Sequence, residues 1–119
     1  MDDLRSLIRR VSDDFAYVVC YCPGFPEEDR ETLDSAFRAL VTGVEAVFER
    51  TKNPDATHWL RLSLRDLNAA LAAYRLGDNL EGERLLESGR GYFEDSVKGK
   101  PIRGQVDYFV DSEGNTRSP

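Results

Sequence analysis

Histidine occurs once and cysteine twice in these 119 residues, and the scarcity removes most site chemistry. Cys20 and Cys22 sit two apart, so a disulfide between them would close too small a loop to constrain the fold. They read as reduced thiols in a cytoplasm. As a Cys-x-Cys pair they lack metal-binding company, because His58 is remote in sequence. Asp55-x-x-His58 sets two possible ligands one turn apart, but no second such pair exists to build a two-metal site. The serines stand in no nucleophile-elbow context, and Gly82, Gly89 and Gly91 lack the strand-then-helix setting of a phosphate loop. No stretch is apolar enough, for long enough, to cross a membrane. The first 22 residues, with Arg5, Arg9, Arg10 and four aspartates, have no secretory character. The expectation is a cytoplasmic protein that is not an enzyme, with no catalytic residues, no metal site and no cofactor.

Charge is plentiful and mostly of one sign. The formal net charge is -6, and two segments account for it. Residues 27–34 hold five acids against Arg30, and residues 78–95 hold six against Arg84 and Arg90. Concentrated negative charge repels phosphate backbones and membrane surfaces, so neither nucleic acid nor a bilayer is an expected partner. It attracts basic proteins.

A chain of this length forms one domain, and its apolar residues recur at helical spacing. Leu4, Leu7, Ile8, Val11, Phe15, Val18 and Val19 predict a helix over about 3–21, ended by Pro23-Gly24. Pro26 suits a first helical position, with Glu27, Glu28 and Asp29 against the positive end of the dipole. A second helix is therefore expected from there to about Thr51, with Leu33, Phe37, Leu40, Val41, Val44, Val47 and Phe48 on its core stripe. Asn53-Pro54 stops it. Thr57 or Asp55 then caps a third helix with Leu60, Leu64, Leu67, Leu71 and Tyr74 on one face. At Leu76-Gly77-Asp78 the chain reverses: Gly77 suits the left-handed conformation past a helix end, and Asp78 with Glu81 has capping-box spacing. Leu80, Leu85, Leu86, Phe93 and Val97 form the apolar face of a fourth helix, whose glycines, opposite the alanines at 69, 70, 72 and 73, allow close packing. The predicted fold is all-α, a four-helix bundle-like domain over residues 1–97. Its core is Leu7, Val11, Val18, Phe37, Leu40, Val44, Leu64, Leu67, Leu71, Leu86 and Phe93. Residues 98–119 form an extended arm, where Ile102, Val106, Tyr108 and Val110 alternate with polar residues, and a disordered tail.

Trp59, Tyr74, Tyr92, Tyr108 and Phe109 are candidates for either core or recognition surface. Tyr74 reads as core. Tyr108 and Phe109 are adjacent on an extended arm and face opposite ways, so one of them must meet solvent or a partner. The arm could also pair with a second copy of the chain. The expected partner-binding set is Asp78, Glu81, Glu87, Glu94 and Asp95 for electrostatic steering, with Tyr108 and Phe109 as anchors.

Two resemblances follow. The run Ala73-Tyr-Arg-Leu-Gly-Asp-Asn-Leu-Glu-Gly-Glu-Arg-Leu-Leu-Glu-Ser-Gly89 resembles one tetratricopeptide hairpin, with Tyr74, Gly77 and Gly82 in the aromatic and small positions. That would suit a helical adaptor. Over residues 14–93 the chain also resembles small helical immunity proteins that protect bacteria from a type VI secretion effector degrading NAD(P). The resemblance rests on Tyr21-Cys-Pro-Gly-Phe25, Leu33-Asp-Ser-Ala-Phe-Arg-Ala-Leu40, Leu60-Arg-Leu-Ser-Leu64 and Tyr92-Phe93. It implies an antitoxin that binds a cognate toxin domain and blocks its active site. A small metal-binding or enzymatic helical protein is the remaining alternative.

Overall fold

The computed structural model describes residues 3–102, which form four α-helices and one short turn of 3-10 helix. Helix α1 spans Leu4–Tyr21, α2 Leu33–Arg50, α3 Pro54–Arg75 and α4 Asn79–Lys98. The fold is all-α, with no strand among the described residues. Tyr108, Phe109 and nearly all of the expected arm lie outside the described residues.

Each helix begins at a side chain that satisfies otherwise orphaned backbone donors. The Asp3 carboxylate accepts from the Ser6 N–H at 2.8 Å, and this backbone hydrogen bond holds its carboxyl below the ordinary carboxylate range. Helix α2 begins at Leu33 rather than at Pro26. Thr32 and Ser35 cap one another, with Ser35 N–H donating to Thr32 Oγ1 at 3.1 Å and Thr32 N–H to Ser35 Oγ at 2.9 Å. The acids ahead of it form only the 3-10 turn Glu27–Asp29, which Arg30 ends in the left-handed conformation at φ 54°. Helix α3 also starts earlier than expected. Asn53 is its cap, accepting from the Asp55 and Ala56 N–H groups, and Pro54 occupies the first turn, where a missing N–H costs nothing. The proline that ends one helix therefore opens the next.

The reversal at residues 76–78 forms as predicted. Gly77 has φ 82°, its N–H donates to the Tyr74 carbonyl at 3.0 Å, and the Asp78 N–H reaches the Ala73 carbonyl at 2.9 Å. These are the two bonds of a Schellman motif. Asp78 caps α4 by accepting from the Glu81 N–H at 3.2 Å. The reciprocal half of the capping box does not form, because the Glu81 carboxylate is held by Arg84.

The helices run alternately up and down. Phe15, Phe37, Leu40, Val44, Leu60, Leu67, Leu86 and Phe93 are the buried centre, with the Phe15 and Phe93 rings 5.4 Å apart. Leu64 and Leu71, expected in the core, are only partly buried and pack against it. The closest seam joins α3 and α4. A Cβ on Gly82 would meet the Tyr74 ring at 2.8–2.9 Å, and one on Gly89 would meet the Ser63 carbonyl oxygen at 3.3 Å. Small residues here let the two backbones approach.

Candidate functional site

Most of the acids predicted to steer a partner are engaged by neighbours on their own helix or just past its end. Glu94 lies 3.6 Å from Arg90 on the flank of α4 toward α1, where Arg90 and Glu94 line a small cleft with Ser12, Phe15 and Phe93. Asp95 faces Lys100 at 4.0 Å. Asp78 is engaged as a cap and Glu81 in a bidentate pair with Arg84, which holds the Glu81 carboxyl below its ordinary range. Glu87 is exposed.

The charges of the described residues are divided unevenly between the two ends of the bundle. Tyr74 meets the Cys22 thiol and Arg75 Nε donates to Asp34 at 3.0 Å, so the close of α1, the start of α2 and the α3/α4 hinge lie together. Residues 13–38 and 69–88, which make up that end, carry eleven acids against four arginines. The remaining described residues carry ten bases against seven acids. The acidic end is also where apolar surface is left uncovered. Four large hydrophobic residues are exposed among those described, and three of them are here: Leu76 at 86%, Leu80 at 82% and Tyr21 at 43%. Leu80 was expected on the apolar face of α4, as was Val97, which at 46% is the fourth. Leu80 falls off the stripe set by Gly82, Leu86, Gly89 and Phe93, whereas Val97 continues it one turn past Phe93, in the last turn of the helix, and is only half covered there.

An aromatic group borders this end. Tyr17 stacks on Phe25 with ring centroids 5.7 Å apart and tilts against Tyr21 at 5.1 Å, and its hydroxyl donates to Asp29 at 2.7 Å. Loss of solvent and the Asp29 carboxylate push the Tyr17 phenol up to about 12. The phenol is therefore a proton donor at neutral pH, tying the 3-10 turn to α1. Nearby, burial raises the Asp14 carboxyl above its usual range, with Glu31 among the negative neighbours. Glu31 itself accepts from the Ser35 hydroxyl. Burial also raises the Cys22 thiol, while Cys20 is exposed.

From the middle of the α3/α4 seam to the opposite end runs a polar and aromatic set of contacts that spacing did not reveal. Asp66 is 4% exposed and accepts from Ser88 Oγ at 2.5 Å and Arg65 Nε at 3.0 Å. Ser63 Oγ donates to the Gly89 carbonyl at 2.8 Å. Trp59, buried, stacks on Tyr92 at 5.8 Å and donates from Nε1 to the Lys100 carbonyl at 2.7 Å. It is thereby a core residue and not a recognition surface. His58 packs edge-on against Trp59 at 5.0 Å. No group of three or more His, Cys, Asp or Glu among the described residues could hold a metal ion, and no described helix is long and apolar enough to cross a membrane. One further feature is an open groove of about 410 Å³ between α1 and α2, floored by Leu7, Val11 and Gly43.

No family model, curated protein or solved structure matches this chain. What the geometry offers chemically is a surface that is acidic at the rim and apolar at its tip.

Proposed function

We propose that this protein is an immunity protein that binds a toxin domain in the cytoplasm and blocks its active site without performing chemistry. The observation that carries the reading is the acidic end, where eleven acids against four arginines surround exposed Tyr21, Leu76 and Leu80. Such a surface draws in a basic partner rapidly and then gains from apolar contact. The resemblance over residues 14–93 supplies the class of partner. The test is co-expression with the product of the adjacent gene. Formation of a complex and rescue of growth support the reading, and the association rate should fall steeply as salt rises, since exposed charges are screened within about 10 Å at 0.1 M. A neighbouring product that neither binds nor harms the cell would overturn it.

An adaptor is the second reading, favoured by one contact. The Tyr74 ring fills the space over Gly82 much as an aromatic packs on a small residue in a tetratricopeptide hairpin. An adaptor would use the hairpin to bind a cellular peptide and would confer no protection in the growth assay.

A further inference from the structure

We infer that Leu76 and Leu80, on either side of the α3/α4 hinge, are the apolar contact by which the acidic end seats its partner, a protein whose basic surface carries an apolar depression. The inference rests on the reading of this end as a capture surface and adds the residues that grip. Single exposed leucines are ordinary. These two are not scattered: they lie four apart, flank the same reversal, and are the most exposed large hydrophobics among the described residues.

Their presentation is rigid. The hinge is held by Gly77 N–H to the Tyr74 carbonyl, Asp78 N–H to the Ala73 carbonyl and the Asp78 cap on Glu81. Beneath it, Tyr74 is buried against Gly82. A partner that closes on this tip therefore has little backbone entropy to remove, which is the advantage of a preorganised contact. Neither leucine contributes to the core, so their apolar area is surplus to folding. Charge complementarity fixes the kind of partner. The tip stands at the end that carries Glu27, Glu28, Glu83 and Glu87, all exposed, and an acidic or purely apolar surface would be repelled or left with stranded charge there. Lysine or arginine around a shallow apolar site satisfies both components.

The experiment uses the full chain and two synthetic 18-residue peptides of equal positive charge. One places leucines at three- and four-residue spacing among lysines to give a helical apolar stripe, and the other has serine in place of each leucine. Binding is measured at low and at moderate salt. The wild-type protein should bind the leucine peptide at least about tenfold more tightly than the serine peptide. Leu76→Ser with Leu80→Ser should abolish that preference while leaving salt-dependent binding of both peptides in place. Val97→Ser, which removes an exposed apolar side chain from the other end, should leave the preference intact. Because the hinge leucines bury nothing in the domain, the double variant should unfold at the wild-type denaturant midpoint. A double-serine variant that keeps the preference, or a wild-type protein with none, overturns the role of the hinge and leaves the acidic end as a capture surface. A wild-type protein that binds neither peptide at low salt overturns both.

Discussion

At the residue scale, two glycines in one helix should respond in opposite directions to the same change. Gly82 faces the Tyr74 ring at distances that no real Cβ tolerates, whereas nothing lies within 4 Å of the corresponding position on Gly91. Gly82→Ala should cost about 1–3 kcal/mol through overpacking, since the ring it strikes is buried. Gly91→Ala should stabilise by roughly 0.5–1 kcal/mol, because alanine loses less conformational entropy in a helix. Urea denaturation of the pair checks both, and a stabilising Gly82→Ala would show that Tyr74 can swing clear. Asp14 gives a pH-dependent counterpart. Its carboxyl is raised by burial, so the folded state binds a proton more tightly than the unfolded chain does. Folding is then penalised once the pH rises through the unfolded value near 3.8 and on past the raised folded value, and the penalty persists at neutrality. Asp14→Asn should raise the melting temperature at pH 7 and confer no such gain below the ordinary carboxylate pKa. An unchanged melting temperature at both pH values would mean that Arg10 fully offsets the burial.

At the element scale, Leu67 tests whether α3 is the spine of the fold. It is fully buried, it touches the space over Gly89, and it belongs to the central cluster. Leu67→Ala should lower stability by about 2–5 kcal/mol in chemical denaturation, with the spread set by how far α4 can settle into the gap. The helices themselves were legible because periodicity needs only near neighbours: the stripes through Val11, Leu40, Leu67 and Phe93 predict four helices and their inward faces. Helix starts were less legible, since acids after a proline suit a helix dipole whether or not a helix follows. The reciprocal bonds of Thr32 and Ser35, which decide where α2 begins, compete with that signal and win. Leu64 and Leu71 illustrate another limit. They have the same spacing as Leu60 and Leu67, and only the position of the neighbouring helices leaves them half covered. The buried Asp66 and its Ser88 partner lie 22 residues apart on facing helices, a pairing that no local pattern encodes.

At the scale of the whole molecule, alternating helix directions turn a modest net charge into two unlike ends. The acidic end combines the close of α1, the start of α2 and the hinge, while the arginines of the first half of α1, Arg50, Lys52, Lys98 and Lys100 gather opposite. That second end is where α4 is fastened, through the bond from Trp59 to the Lys100 carbonyl. Because Trp59 is the chain's single tryptophan, this fastening has an optical signature. Its indole is shielded and stacked on Tyr92, so the native emission should be blue-shifted, and release of the last turn of α4 alone would move it to the red. Helix ends open at lower free energy than cores. In a denaturant titration the emission change should therefore precede the loss of far-ultraviolet ellipticity. Coincident transitions would show that the final turn of α4 melts only with the bundle. The protein thus carries, without any label, a fluorescent gauge of whether its last helix is docked.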